Sequence, residues 1–461
     1  MDHSIIFDLG LIEKYDQNGP RYTSYPTAVQ FHEGFSEDDY KRIAHETNAS
    51  GRPISLYFHI PFCDTVCFYC ACNKVATKDR SMAGKYLARV YRELATQGEL
   101  FDRSREVEQL HWGGGTPTFI SQAEMRELMA ETGKYFTLLD DDSGEYSIEI
   151  DPREAQGDTI KLLRELGFNR MSLGVQDFDE RVQKAVNRIQ SKEVTLKTLR
   201  AARDEGFRSI SLDLIYGLPL QSLSSFTQTL DEVLEVDPDR LSVFNYAHLP
   251  QRFKPQRRID EADLPVPQEK LDILQMTIEK LTKAGYVYVG MDHFAKPDDE
   301  LVIAQQEGTL YRNFQGYSTH ADCDLIGIGS TSIGMVGPSY AQNMRTLDEY
   351  YARIDSDRLA VFRGVELSLD DKIRRDVITR LICHFILDYR TVEQRWNIKF
   401  KEYFNSELER LQKMADDDLL EMSPESIRVQ PKGRLLIRNI CMAFDAYLKS
   451  SESTVSFSKV I

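Results

Sequence analysis

No stretch of about 18 apolar residues occurs anywhere in the 461 residues, so no membrane-spanning helix is expected. A basic, apolar leader is not expected either. The first residues, MDHSIIFDLGLIEKYDQNG, carry acids where a secretory signal needs positive charge and a long apolar stretch, and the expected location is the cytoplasm. Positive charge is in deficit along the whole chain: 57 Lys plus Arg against 73 Asp plus Glu leave a formal net charge of −16. That balance argues against broad electrostatic binding to nucleic acid or to an anionic membrane. An anionic substrate stays compatible with it where a few cationic side chains converge. Low-complexity tracts and tandem repeats are absent, and with 41% hydrophobic, 10% aromatic and 28% charged residues the composition excludes extensive disorder.

Cysteine is scarce, seven in all, yet four of the seven fall within ten residues: Cys63, Cys67, Cys70 and Cys72. An odd number so distributed is not a disulfide framework. Cys383 and Cys441 sit in apolar runs and, with the isolated Cys323, are expected to pack as small core hydrophobes. In HIPFCDTVCFYCACNK, thiolates spaced by four and three residues can converge on one metal centre from a single loop. A structural zinc site would need a second ligand pair after a long span, and none follows. Three cysteines at three corners of a cubane iron-sulfur cluster leave the fourth iron open to a substrate or cofactor. Cys72 lies too close behind Cys70 to reach the fourth corner comfortably.

Between residues 54 and 295 short apolar runs alternate with amphipathic stretches. Strands are expected at 54–60, 108–114, 146–151, 168–175, 209–217, 240–249 and 286–291, and helices at 81–97, 121–136 and 267–285, where apolar residues recur every three and four positions. Strands separated by such helices want right-handed crossovers, which favours a parallel barrel or partial barrel with its chemistry at the C-terminal strand ends. Residues 1–40, with GPRYTSYPTAVQF, read as an extended segment draped over something. The barrel domain is expected over 41–364 and a mainly helical C-terminal domain over 365–461.

Ten segments carry a further signal: RYTSYPTA (21–28), YFHIPFCDTVCFYCACNK (57–74), LHWGGGTPT (110–118), SIEIDPRE (147–154), SLGVQDF (172–178), DLIYGLP (213–219), RLSVFNYAHLP (240–250), GMDHFAKPDDEL (290–301), RNFQGYSTHAD (312–322) and GRLLIRNICM (433–442). In this order they resemble, nearly end to end, the oxygen-independent coproporphyrinogen III oxidases of the radical S-adenosylmethionine (radical SAM) superfamily. The resemblance implies an α/β fold: a partial (βα)6 radical-SAM barrel of TIM type, an N-terminal flap and a mainly helical C-terminal domain. It also implies a [4Fe-4S] cluster on Cys63, Cys67 and Cys70, and two S-adenosylmethionines. By resemblance Tyr57, Gly114, Glu149, Ala247 and Ile333 contact the first, and Gly115, Thr116, Gln176, Arg188 and Asp213 the second. The glycine run would admit a ligand close to the backbone. Arg188 would fork onto a carboxylate, and Asp213 would suit an ammonium or a ribose. Tyr69, beside the cluster, replaces the phenylalanine expected in close relatives and keeps an aromatic there. Tyr57 and Cys72 are the residues nearest the chemistry, and Cys72 separates the oxidase from its haem-handling relatives.

The implied reaction turns two propionates of coproporphyrinogen III into vinyl groups, giving protoporphyrinogen IX in haem biosynthesis. A 5′-deoxyadenosyl radical abstracts hydrogen and CO2 is lost. The substrate carries about four negative charges at neutral pH, and Arg21 and Gln315 are the candidates to engage it. An electron donor such as flavodoxin or ferredoxin is implied, and a monomer is expected. The rival is a haem chaperone on the same fold, which binds and transfers haem. Cys72, the RYTSYPT segment and the long C-terminal domain favour the enzyme.

Overall fold

A computed structural model of the chain describes residues 3–155 and 157–450. The chain divides into two compact units, the larger built from 31–273 and 322–366, the smaller from 1–30, 274–321 and 367–461; the end of the expected C-terminal domain, 451–461, lies outside the described residues.

In the larger unit six strands pair in parallel in the order of the sequence: β1 (Ile54–Ile60), β2 (Glu106–Gly114), β3 (Glu145–Ile150), β4 (Arg170–Gln176), β5 (Ser209–Tyr216) and β6 (Arg240–Asn245). Because each strand neighbours its predecessor, every crossover steps in the same direction and the helices collect on one face, which is the winding of a partial barrel. Beyond β1 a seventh parallel strand, β7 (Asp324–Ile328), leads into the antiparallel strands β8 (Ile333–Val336), β9 (Ser339–Asn343) and β10 (Val361–Glu366). The connecting helices start where the sequence can cap them. Ser121 and Glu124 form a capping box before Gln122–Tyr135, and Ser191 and Ser222 accept first-turn N–H groups of Lys192–Asp204 and Leu223–Val236.

Period-two alternation sorts the strand side chains. Ile148 and Ile150 on β3, Leu173 and Val175 on β4, and Leu212 and Leu214 on β5 are all buried. The alternate positions, Ser147 and Glu149, Ser172, Gly174 and Gln176, and Ser211 and Asp213, are only partly buried and share the other face. That second face is the polar one.

One expectation needs correcting. Segment 286–291 is not a further parallel strand: Val287–Gly290 folds back on His293–Ala295 as an antiparallel hairpin within the smaller unit, because Gly290 (φ 145°) and Met291 (φ 53°) turn the chain. The C-terminal region is mainly helical and also holds a small sheet. Helices Leu369–His384, Tyr389–Trp396 and Asn405–Asp416 are accompanied by a three-stranded antiparallel sheet of Ile386–Asp388, Ser426–Val429 and Leu420–Met422, the first helix ending at Phe385 in the left-handed region. The N-terminal segment opens with a short helix, Leu9–Lys14, and is then tied to residues 438–446. Arg438 Nε donates to the Pro20 carbonyl at 2.9 Å, Asn439 Nδ2 to the Tyr15 carbonyl at 2.9 Å, and the Tyr22 hydroxyl to Asp445 at 3.0 Å. Among the described residues no helix is long and apolar enough to cross a membrane. Cys323, Cys383 and Cys441 are buried, as small core residues should be.

Candidate active site

The four clustered cysteines leave β1 directly. The loop is fastened at several points: Cys70 N donates to the Cys67 carbonyl at 3.2 Å, Phe68 N to the Val186 carbonyl at 2.9 Å, Asn187 Nδ2 to the Val66 carbonyl at 2.8 Å, and Lys74 Nζ to the Cys70 carbonyl at 3.1 Å. The glycine run at the end of β2 packs beneath it. Gly115 N and Thr116 N donate to the carbonyls of Ile60 and Phe62, each at 2.8 Å. A Cβ on Gly115 would stand 2.7 Å from the Phe62 carbonyl oxygen, and one on Gly114, at φ +117°, 2.8 Å from the His59 ring. The bare backbone expected to admit a ligand is thus first of all required by chain packing on chain. Gly113 does the same for Glu149, whose carboxylate would lie 2.9 Å from an added Cβ.

The lining of a cavity of about 390 Å³ includes Cys63, Cys67, Tyr69, Cys70, Cys72, Gly114, Gly115, Thr116, Glu149, Gln176, Arg188 and Asp213, all singled out from the sequence, together with others such as Asp151, Arg153 and Ser172 that were not. Tyr57 does not line it. Its hydroxyl donates to His59 Nδ1 at 3.1 Å, a tautomer set by His59 Nε2 donating to the Asn73 carbonyl at 3.1 Å, and its ring stacks on His111 at 5.8 Å. Ala247 and Ile333 are also outside the lining: the Ala247 carbonyl accepts from Gln256 Nε2 at 3.2 Å, and Ile333 opens β8 opposite Gln342. Arg21 and Gln315 belong to the smaller unit. There Arg21 pairs with Asp292 at 3.1 Å, while the Gln315 side-chain amide nitrogen is buried without a hydrogen-bond partner.

Cavity electrostatics follow from who shares protons with whom. Burial would raise Glu149, but His111 at 3.4 Å and the Gly114 N–H at 3.1 Å hold it below the usual carboxylate range. Its side chain remains 46% exposed, open to the cavity while ringed by protein. Asp213 goes the other way: burial and the charge of Glu149 outweigh a 2.7 Å bond from Ser172 Oγ and push it up to about 6. Burial raises Cys63 to about 11 despite the Thr116 hydroxyl at 3.5 Å. A hydrogen bond between the Cys70 and Cys72 side chains favours ionised Cys70, holding it low, and drives Cys72 high.

Arg188 is the best-buried cation of the site. Nη1 donates to Asp151 at 2.9 Å and approaches Cys67 Sγ at 3.6 Å, Nη2 donates to the Gly174 carbonyl at 2.6 Å, and Nε is buried without a partner. The fork expected for a ligand carboxylate is therefore largely spent inside the protein, and Nε is the one guanidinium nitrogen left without a partner. Arg153 completes the set, donating to both oxygens of Asp151 at 3.0 and 2.6 Å and reaching Cys67 Sγ at 3.9 Å. Asp151, Arg153, His59, His111 and Ser172 were not picked out from the sequence as site residues. Asp151 and Arg153 were visible as the polar DPRE that ends β3, and His59 and His111 as polar residues interrupting apolar strands.

Strands wound in sequence order, with a loop of three suitably spaced thiols after the first and a polar cavity at their ends, define a radical SAM protein. A family model described as the radical SAM superfamily matches residues 57–233, and one described as the HemN C-terminal domain matches residues 367–436. The chain is 54% identical to an oxygen-independent coproporphyrinogen III oxidase of Pseudomonas aeruginosa over 99% of both chains, and 51% identical to that of Escherichia coli over 99% of both. A solved structure of the E. coli coproporphyrinogen III oxidase HemN, described as a radical SAM enzyme, matches with a TM-score of 0.92 at 50% identity, covering 96% of this chain and 100% of that one. The chain belongs to the oxygen-independent coproporphyrinogen III oxidase family.

Proposed function

We propose that this chain, an oxidoreductase of haem biosynthesis, converts two propionates of coproporphyrinogen III to vinyl groups without oxygen, using one [4Fe-4S] cluster and two S-adenosylmethionines. The observation that carries the reading is that one cavity brings the loop thiols Cys63, Cys67 and Cys70 together with the carboxylates of Glu149 and Asp213 and the buried Arg188 guanidinium, whose Nε has no partner. That donor set fits the cofactors. Cys63, Cys67 and Cys70 would hold three irons, and Arg153 and Arg188 beside Cys67 offset thiolate charge. When bound, the cluster and S-adenosylmethionine supply a radical able to remove a hydrogen atom from the substrate.

The chain's own residues do the positioning. Glu149, kept ionised by His111 and the Gly114 N–H, is suited to an ammonium group, with Tyr57 stacked behind His111 to fix the ring. Arg188 Nε is the spare donor for the carboxylate of the second S-adenosylmethionine, with Gln176 and Asp213 on the same wall. Cys72, lining the cavity but not needed as a ligand, is assigned to the reacting propionate. Arg21 and Gln315 are proposed to meet other propionates, the electron is taken from a flavodoxin or ferredoxin type of donor, and the enzyme works as a monomer in the cytoplasm.

The test is anaerobic incubation of the reconstituted protein with coproporphyrinogen III, S-adenosylmethionine and dithionite, with the porphyrins separated after oxidation. Protoporphyrin is the expected product. Stoichiometric haem binding with no decarboxylation would move the chain to the chaperone reading.

A further inference from the structure

Against a chain charge of −16, residues 252–258 place Arg252, Lys254, Arg257 and Arg258 within seven positions and no acid among them. All four side chains are exposed, and none forms an ion pair among the described residues. The three acids that follow, Asp260, Glu261 and Asp263, are exposed and pair with none of the four bases: Asp260 caps the turn at Ala262 and Glu261 faces His248 at 3.3 Å. The segment is no loose loop. Lys254–Arg258 forms a 3₁₀ turn whose one buried residue, Gln256, accepts from Leu249 N at 2.6 Å and donates through Nε2 to the Tyr69 carbonyl at 3.0 Å. Tyr69 immediately precedes Cys70. The Arg258 guanidinium lies over the ring of Phe68, which is next to Cys67, at 5.2 Å. A basic patch free of ion pairs thus sits against the cysteine loop, one hydrogen bond away from the backbone between two of the thiols.

We propose that this patch, Arg252, Lys254, Arg257 and Arg258, is where an acidic one-electron carrier protein docks to reduce the cluster. The inference rests on the cluster reading of Cys63, Cys67 and Cys70. One electron leaves the reduced carrier and enters the oxidised cluster, so the carrier ends oxidised by one electron and no atoms are transferred. A negatively charged protein approaching a chain of net negative charge is repelled over most of the surface, and a local positive patch selects the one orientation that brings it to the loop. Phe68 under Arg258 offers an apolar centre to that contact, and Gln256 keeps patch and loop in fixed register.

Reduced flavodoxin serves as the probe. Its affinity for the reconstituted protein at low salt is measured by calorimetry, and turnover is driven in parallel by reduced flavodoxin or by dithionite. Two variants, Arg252→Glu with Lys254→Glu and, separately, Arg257→Gln with Arg258→Gln, are each expected to weaken flavodoxin binding and slow flavodoxin-driven turnover by about tenfold or more. Iron content and dithionite-driven turnover stay unchanged, and added salt shrinks the difference from the unmodified protein. Unchanged affinity in both variants overturns the docking site. So does an equal loss under dithionite, and so does a raised KM for coproporphyrinogen under dithionite, which would give the patch to the substrate's carboxylates. An unmodified protein that takes up no iron would instead overturn the cluster reading on its own.

Discussion

Two polar centres in the larger unit bury carboxylates in opposite ways. Glu93, on the helix Ser81–Gly98, is fully buried and fully partnered: it accepts from the Gly329 N–H at 2.8 Å, Asn343 Nδ2 at 2.7 Å and the Tyr350 hydroxyl at 2.6 Å, and burial pushes it up to about 7. Around the cavity the accounting is left open. Glu149 is half exposed, Cys72 faces free space and Arg188 Nε has no partner although it is buried. A buried polar group costs free energy until it is paired. The closed centre has met that cost within the fold and serves stability, whereas the open one leaves it to be met by ligands.

The largest effect expected from this contrast is at the thiols. Replacing Cys63, Cys67 or Cys70 by Ser should abolish the iron-sulfur absorbance and S-adenosylmethionine cleavage after anaerobic reconstitution, while Cys383→Ser, at a buried thiol of the smaller unit, leaves both in place. Loss of the cluster in Cys383→Ser with retention in Cys70→Ser would invert the assignment. Next is the buried guanidinium. Arg188→Ala should lower the bound S-adenosylmethionine count from two toward one, at roughly ten- to a hundredfold in affinity, with cleavage at the first site preserved. Equilibrium dialysis reads that count, and a value of one in the unmodified protein would remove the second site.

The alternation of polar and apolar residues made the strands of the larger unit legible, since ISLYFHI can hardly be anything but a buried strand and SIEID and SISLDLI mark one face as polar. A parallel barrel or partial barrel followed from that alternation, whereas its radical SAM character was implied by the resemblance of the ten segments. The C-terminal sheet escaped because its strands are three or four residues long and lie between strongly periodic helices, too short to show a period of two. At the cavity, single residues at strand ends could be ranked by chemistry, but the pairing of Arg188 with Asp151 joins residues 37 positions apart and has no local signature. The packing role of Gly113, Gly114 and Gly115 was hidden for the same reason.

A smaller effect comes from pH. Glu93 titrates near 7 in the fold against 4.5 ordinarily, so the folded protein binds its proton more tightly than the unfolded chain does. Its contribution is therefore fully present below 4.5 and is lost as the pH rises through 7, with a slope of at most about 1.4 kcal/mol per pH unit. Denaturant unfolding between pH 5 and 8 should show this decline in the unmodified protein and a flatter profile in Glu93→Gln. Identical profiles would mean that the Glu93 carboxyl is not the closed, proton-holding centre described.

The contrast itself is tested most directly by the affinity for S-adenosylmethionine of two isosteric variants, measured by equilibrium dialysis on reconstituted protein at pH 7.5. Glu149→Gln, at the open centre, should weaken binding by about tenfold or more through loss of a charged partner, and Glu93→Gln, at the closed one, should leave it unchanged. Weakened binding in Glu93→Gln with normal binding in Glu149→Gln would contradict the account.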